Sequence, residues 1–207
     1  MITDVHSHNV NSGEVNTIYN VRINDDPMSL PHGPRLYFSV GIHPWDAAGF
    51  LPAWLDKLNM LLNYQQVVAI GECGLDKNSE APMNAQMEVF ERQIILSEIT
   101  RKPLIIHCVG CFNELMELQH KHSPSQPWII HGFRGKPELA QQLLKAGFYL
   151  SYGDKFNAES VALTPPDRLL METDDSGLEI EAIAEALRGY LKSSAEALTA
   201  VSTLFRL

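Results

Sequence analysis

Val67-Val68-Ala69-Ile70-Gly71-Glu72 decides how this chain is read: an unbroken apolar run, closed by a carboxylate. A run that short and continuous suits a strand buried on both faces of a parallel sheet. The pattern recurs. His6 and His8 close the first run, His107 closes Leu104-Ile105-Ile106, and His131 closes Trp128-Ile129-Ile130. Asp174 closes Leu169-Leu170-Met171-Glu172-Thr173. A fold that brings strand ends to one rim gathers these four imidazoles and two carboxylates into a single centre. That mixture suits divalent metal, with room for two ions.

Working outward, apolar runs fall near 2–6, 15–22, 35–42, 67–72, 103–107, 127–131, 147–152 and 168–173. Helical patterns separate the later ones. In 82–101, Met83, Met87, Phe90 and Ile94 form a stripe behind Pro82, which suits a first turn. Residues 53–63 and 111–121 also read as helices, and Pro137 opens another that Gly147 ends. Ile180, Ile183, Leu187 and Leu191 form a further stripe. Ser193-Ser194-Ala195-Glu196 offers a capping box for a last helix carrying Leu198, Val201 and Phe205.

Alternating strands and helices are the grammar of a parallel α/β fold. Ligands on many strand ends favour a (β/α)8 TIM-like barrel over an open doubly wound sheet, because barrel chemistry sits on that rim. The barrel is expected to be distorted. Only about eight residues separate the first two runs, and 23–34 holds Pro27, Pro31, Gly33 and Pro34. One or two outer helices should therefore be missing near the N-terminus, leaving strands 1–3 to be covered by loops or a partner.

The 207 residues contain no linker-like stretch and no repeat, so 1–207 reads as one domain. A formal net charge of −9 argues against a broad basic surface for long nucleic acid. It leaves a nucleic-acid substrate open, since bound dications add local positive charge. With no visible signal peptide, no run of membrane-spanning length and three cysteines, the expectation is a cytoplasmic enzyme without a disulfide framework.

His6 and His8, two apart on a strand, can reach one ion. The plainer reading is a polar strand end, and the equivalent placement of other ligand types outweighs it. Glu72 can bridge two cations or simply pair with a lysine. His107 and His131, placed alike, point to a second ion rather than to two hydrogen-bonded core histidines. Asp174 can ligate metal and take a proton from water, but spacing does not separate it from Asp175. Alternation puts Glu172 on the face of Asp174. His43, beside Pro44, suits substrate contact or a structural role. Arg134 can clamp a phosphate or be an ordinary loop arginine. Cys108 and Cys111 form a C-x-x-C, but it directly follows His107 and is read as non-redox.

Six segments occur in order: Asp4-Val5-His6-Ser7-His8, Val40-Gly41-Ile42-His43-Pro44, Gly71-Glu72-Cys73-Gly74-Leu75-Asp76, Ile106-His107-Cys108, His131-Gly132-Phe133-Arg134-Gly135 and Glu172-Thr173-Asp174. Together they resemble the TatD family of metal-dependent deoxyribonucleases, within the amidohydrolase superfamily. The resemblance spans nearly the whole chain. It implies a distorted barrel that hydrolyses phosphodiester bonds of DNA or nucleotides. His6, His8 and Asp174 would hold one ion, His107 and His131 a second, and Glu72 would bridge them. The ions would be zinc, magnesium or manganese. Glu72 and Asp174 would carry catalysis, with His43 and Arg134 toward the substrate.

The chain also departs from the family. Many members carry an arginine where Val109 stands, and many have a proline, then an Arg-Asn segment, after the last aspartate. Here Asp174-Asp175-Ser176-Gly177-Leu178 leads into an acidic helix. These departures keep two alternatives in view: a hydrolase of small or cyclic amides using the same metals, and a weakened binding protein on the same barrel. A monomer or homodimer is expected, with no membrane.

Overall fold

Each apolar run becomes a strand. They are β1 (Thr3–Ser7), β2 (Asn16–Arg22), β3 (Leu36–Gly41), β4 (Val67–Asp76), β5 (Leu104–Val109), β6 (Trp128–Ile130), β7 (Tyr149–Tyr152) and β8 (Leu169–Met171). The structure is a computed structural model and describes residues 2–11, 14–26, 29–190, 204, 205 and 207. All eight strands pair in parallel, in chain order. β8 returns to β1 through a single bridge, Ser7 opposite Asp174. Two backbone bonds make it: His8 N–H to Asp174 O at 3.1 Å and Asp174 N–H to His6 O at 3.0 Å. The ring is thus a nearly closed barrel, knitted at the rim where the strands end.

The helices are α1 (Pro52–Leu61), α2 (Met83–Thr100), α3 (Phe112–His122), α4 (Pro137–Lys145), α5 (Ala158–Leu163) and α6 (Ile180–Arg188). Pro52 and Pro137 stand in first turns, where their missing N–H is not needed. Pro82 caps α2 rather than entering it. Gly147, at φ +97°, ends α4 as expected, its N–H bonding Leu144 O. α6 buries Ile180, Ile183, Ala184 and Leu187. Leu191, the capping box at Ser193 and the stripe residues Leu198 and Val201 lie outside the described residues. Three elements were not anticipated, one of them a 3-10 turn over Pro166–Arg168. α5 spans too few residues to show a stripe and is capped by the Asn157 side chain, while a 3-10 turn follows His43 over Pro44–Gly49.

Among the described residues, no helix joins β1 to β2 or β2 to β3. The loop after β2 covers that flank, tied by Lys57 Nζ donating to Ile23 O at 2.6 Å. A cavity of about 300 Å³ remains there, lined by Val21, Ile23, Leu30, Phe38, Val40 and Leu61 among others. The larger core lies between strands and helices. A smaller one fills the lower barrel interior, where Val5, Ile18, Val68, Ile105, Ile129 and Leu170 meet Phe205. The polar residues thus gather above an apolar floor.

Candidate metal centre

Glu72 does not end its strand, as the sequence reading had it. β4 continues to pair with β5 from Cys73 opposite Ile106 to Asp76 opposite Val109. The register slips between Ile70 and Cys73, where β4 spends one residue more than β5. Such a bulge re-aims a side chain, and Glu72 sits on it. Glycine makes the bulge possible. A Cβ on Gly71 would lie 2.7 Å from Ile105 O. One on Gly74, at φ +133°, would lie 2.1 Å from His107 O. His107 is likewise inside β5, whereas His131 follows β6 directly. Asp174 has φ +53°, a left-handed conformation that aspartate tolerates.

The carboxylate of Glu72 lies between two groups of imidazoles. Its Oε2 faces His6 Nε2 at 3.6 Å and His8 Nε2 at 3.9 Å. Its Oε1 faces His107 Nδ1 at 2.7 Å and His131 Nε2 at 2.8 Å. Asp174 Oδ1 stands 3.7 Å from both His6 Nε2 and His8 Nε2. His6 is fully buried, yet neither of its ring nitrogens has a hydrogen-bond partner among the described residues. A buried imidazole in that state calls for a ligand. Potential ligand atoms of His6, His8 and Asp174 lie within 4.8 Å of one another, as do those of His6, Glu72 and His131. The donor set and the orphaned His6 both fit a divalent cation.

Electrostatics separates the imidazoles. Burial, reinforced by positive charge on His131, keeps His6 well below the ordinary imidazole range and therefore neutral. Burial also lowers His43. Burial alone would raise Glu72. The charge of His131 and hydrogen bonds from His107, His131 and His43 outweigh it and hold the carboxyl well below its usual range. His131 is driven well above its usual range despite burial, by Glu72 and Glu172. Burial raises Asp174, and the negative charges of Glu172, Asp175 and Glu72 add to that against the pull of His131.

His43 comes closer than a substrate contact requires: its Nε2 is 3.3 Å from Glu72 Oε1, and it groups with Glu72 and His107 as potential ligands. Arg134 is exposed and lines a cavity beside His107 and His131. Several contributors escaped the sequence reading. Asp76 Oδ2 faces His107 Nε2 at 3.1 Å, and Glu172 Oε1 faces His131 Nδ1 at 3.4 Å while accepting from Gly132 N–H. His107 and His131 therefore each have a carboxylate behind them, the arrangement that orients metal-binding imidazoles. Alternation had already put Glu172 on the right face, and Asp76 stood in a quoted motif, but neither had a role. Two glutamines on the buried face of α2 hold the backbone beneath. Gln93 exchanges bonds of 2.8 and 3.0 Å with Ile42, and Gln86 clasps Asp76 through bonds of 2.8 and 3.0 Å. A stripe of apolar residues gives no hint of them.

Known proteins resemble this chain in sequence and in fold. The metal-dependent hydrolase YabD of Bacillus subtilis, described as uncharacterized, is 36% identical over 148 residues. That match covers 67% of this chain and 58% of YabD. The 3'-5' ssDNA/RNA exonuclease TatD of Salmonella typhimurium is 30% identical over 152 residues, covering 68% of this chain and 58% of the exonuclease. The chain thus spans somewhat over half the length of these curated relatives. The crystal structure of YjjV, a TatD homolog from Escherichia coli, matches with a TM-score of 0.82 at 20% identity. It covers 100% of this chain and 98% of the YjjV chain, which shows a shared fold. The family model described as TatD related DNase matches residues 15–202. By that match this chain belongs to the TatD family.

Proposed function

We propose that residues 1–207 form one hydrolase unit that cleaves phosphodiester bonds of DNA or nucleotides with the help of two divalent ions. One observation carries this reading: the two oxygens of Glu72 face two different imidazole groups. His6, His8 and Asp174 would hold one ion, His107 and His131 the other, and Glu72 would bridge them. When bound, such ions make water acidic at neutral pH and offset charge growing on phosphoryl oxygens.

The chain's own residues do the remainder. Asp174, partly exposed at the rim, takes the proton of the attacking water. Glu172 and Asp76 keep the rings of His131 and His107 turned toward Glu72. Buried, neutral His6 needs no deprotonation before it ligates. Arg134, with no carboxylate in ion-pair range among the described residues, offers its guanidinium to a phosphate. The nuclease names of the relatives support the substrate class. The imidazoles suit zinc, and the carboxylates suit magnesium or manganese.

Protein stripped by a chelator is expected to be inert on single-stranded oligonucleotides and to recover with one of these ions. Glu72→Ala is expected to abolish that recovery and to lower the bound metal measured by elemental analysis. Metal-replete protein that is inert on every phosphodiester yet cleaves amides from the same panel would overturn the reading.

A further inference from the structure

The mouth of the site carries an aromatic ring that the metal chemistry leaves unused. Trp45, in the 3-10 turn after β3, is 58% exposed. It is nevertheless held firmly. Its indole N–H donates to Asp76 Oδ2 at 2.6 Å, its backbone N–H donates to His43 Nδ1 at 3.2 Å, and its ring meets the His43 ring edge-on at 4.8 Å. A cavity of about 390 Å³ opens here, lined by Trp45, Glu72, His107, His131, Asp174 and Asp175 among others. Arg22, the last residue of β2, reaches the same cavity. Its guanidinium carbon lies 5.8 Å from the Trp45 ring centre, and one nitrogen lies 3.3 Å from Asp46. Asp46 is its one ion-pair partner among the described residues, which leaves other donors of the guanidinium fork for a ligand.

We infer that Trp45 and Arg22 form a nucleotide subsite beside the cleavage centre. The indole stacks on an unpaired base, and Arg22 takes the adjoining phosphate. This rests on the phosphodiesterase reading and gives one base and one phosphate of its substrate a place on this chain. The physical argument is one of shape and charge. A fixed, exposed indole presents a flat π-face, and bases are the flat partners a phosphodiester chain supplies. Duplex bases keep their faces stacked on one another, so only an unpaired base reaches the ring. Arg22 supplies the positive charge a phosphate needs in a chain whose net charge is −9. The hydrogen bond to Asp76 also ties the platform to His107, because one carboxylate oxygen serves both. A base seated on Trp45 is thereby registered against the catalytic imidazoles.

The test is fluorescence anisotropy with a short 5'-labelled oligothymidylate, made resistant to cleavage by phosphorothioate links, with manganese present. Trp45→Ala is expected to weaken binding about tenfold, on the order of one base–aromatic stack. Trp45→Phe, which also loses the bond to Asp76 but keeps a ring, should retain most of the affinity. Arg22→Gln should flatten the salt dependence by roughly one phosphate contact. A scan that removes one base at a time should find a position whose loss weakens the wild type but leaves Trp45→Ala unaffected. Equal damage in the Phe and Ala variants would overturn the subsite, placing the effect in the Asp76–His107 contact. So would identical scans in wild type and Trp45→Ala while oligonucleotides are still cleaved, an outcome that leaves the nuclease reading standing. Wild-type protein that neither binds nor cleaves single strands would end both.

Discussion

Glu172 illustrates how a side chain without a direct role governs one that has it. It is fully buried, and its Oε1 accepts from Gly132 N–H while facing His131 Nδ1. Removing its charge should let the imidazole turn and weaken its donor nitrogen. Glu172→Gln keeps the shape, and it is expected to lower metal affinity by about 10–100-fold in a competition titration against a metal indicator. Unchanged affinity would mean that Gly132 alone is its purpose. Cys108 makes the opposite point. Burial pushes its thiol from 9.0 up to about 12, so the reactive thiolate is scarce at neutral pH. Alkylation followed by peptide mass spectrometry should still be accelerating at about pH 10, where an unperturbed thiol levels off. A plateau there would return the C-x-x-C to the list of redox candidates.

β4 and α2 act as a pair. The bulge at Gly71–Glu72 swings the central carboxylate inward, and the adjoining loops must then be held against it. α2 does this with Gln93 and Gln86, which bond backbone groups at the ends of β3 and β4. Gln93 is fully buried, so Gln93→Leu strands both the N–H and the C=O of Ile42. That is expected to destabilise the protein by about 2–6 kcal/mol, at about 1–3 kcal/mol for each orphaned group. Urea unfolding followed by circular dichroism measures it. A change within half a kcal/mol of zero would show that water reaches Ile42 instead. The apolar stripe proposed for this helix is only partly the buried one. Phe90 and Ile94 are buried, but they share that face with Gln86, Val89, Gln93 and Ser97.

The barrel as a body has one weak seam. β1 and β8 meet through the Ser7–Asp174 bridge and a side-chain latch, in which Asp4 accepts from Thr173 N–H at 3.0 Å and from Thr173 Oγ1 at 2.6 Å. The proposed first ion takes His6 and His8 from one side of that seam and Asp174 from the other. Binding should therefore close the ring as well as arm it. At metal near a hundred times its dissociation constant, exchange of the His8 and Asp174 amides should slow by up to about a hundredfold. Amides between β3 and β4 should respond less. Uniform protection, or none at the seam, would contradict ion binding across it. No helix among the described residues is long and apolar enough to cross a membrane.

The eight strands, the α/β alternation, the thin flank beside β2 and the side chains around Glu72 were all legible from residue order. Buried strands are uniformly apolar, helices show period, and a polar residue ending an apolar run has few structural reasons to be there. The close approach of His43 to Glu72, the carboxylates behind His107 and His131, the glutamine clasps and the Trp45–Arg22 mouth were not. Those depend on which side chain stands opposite which across strands far apart in sequence. A single bulge at Gly71–Glu72 reverses facing in a way no periodicity records. One-dimensional pattern reports where a chain buries itself, and only packing in three dimensions decides what each polar group meets there.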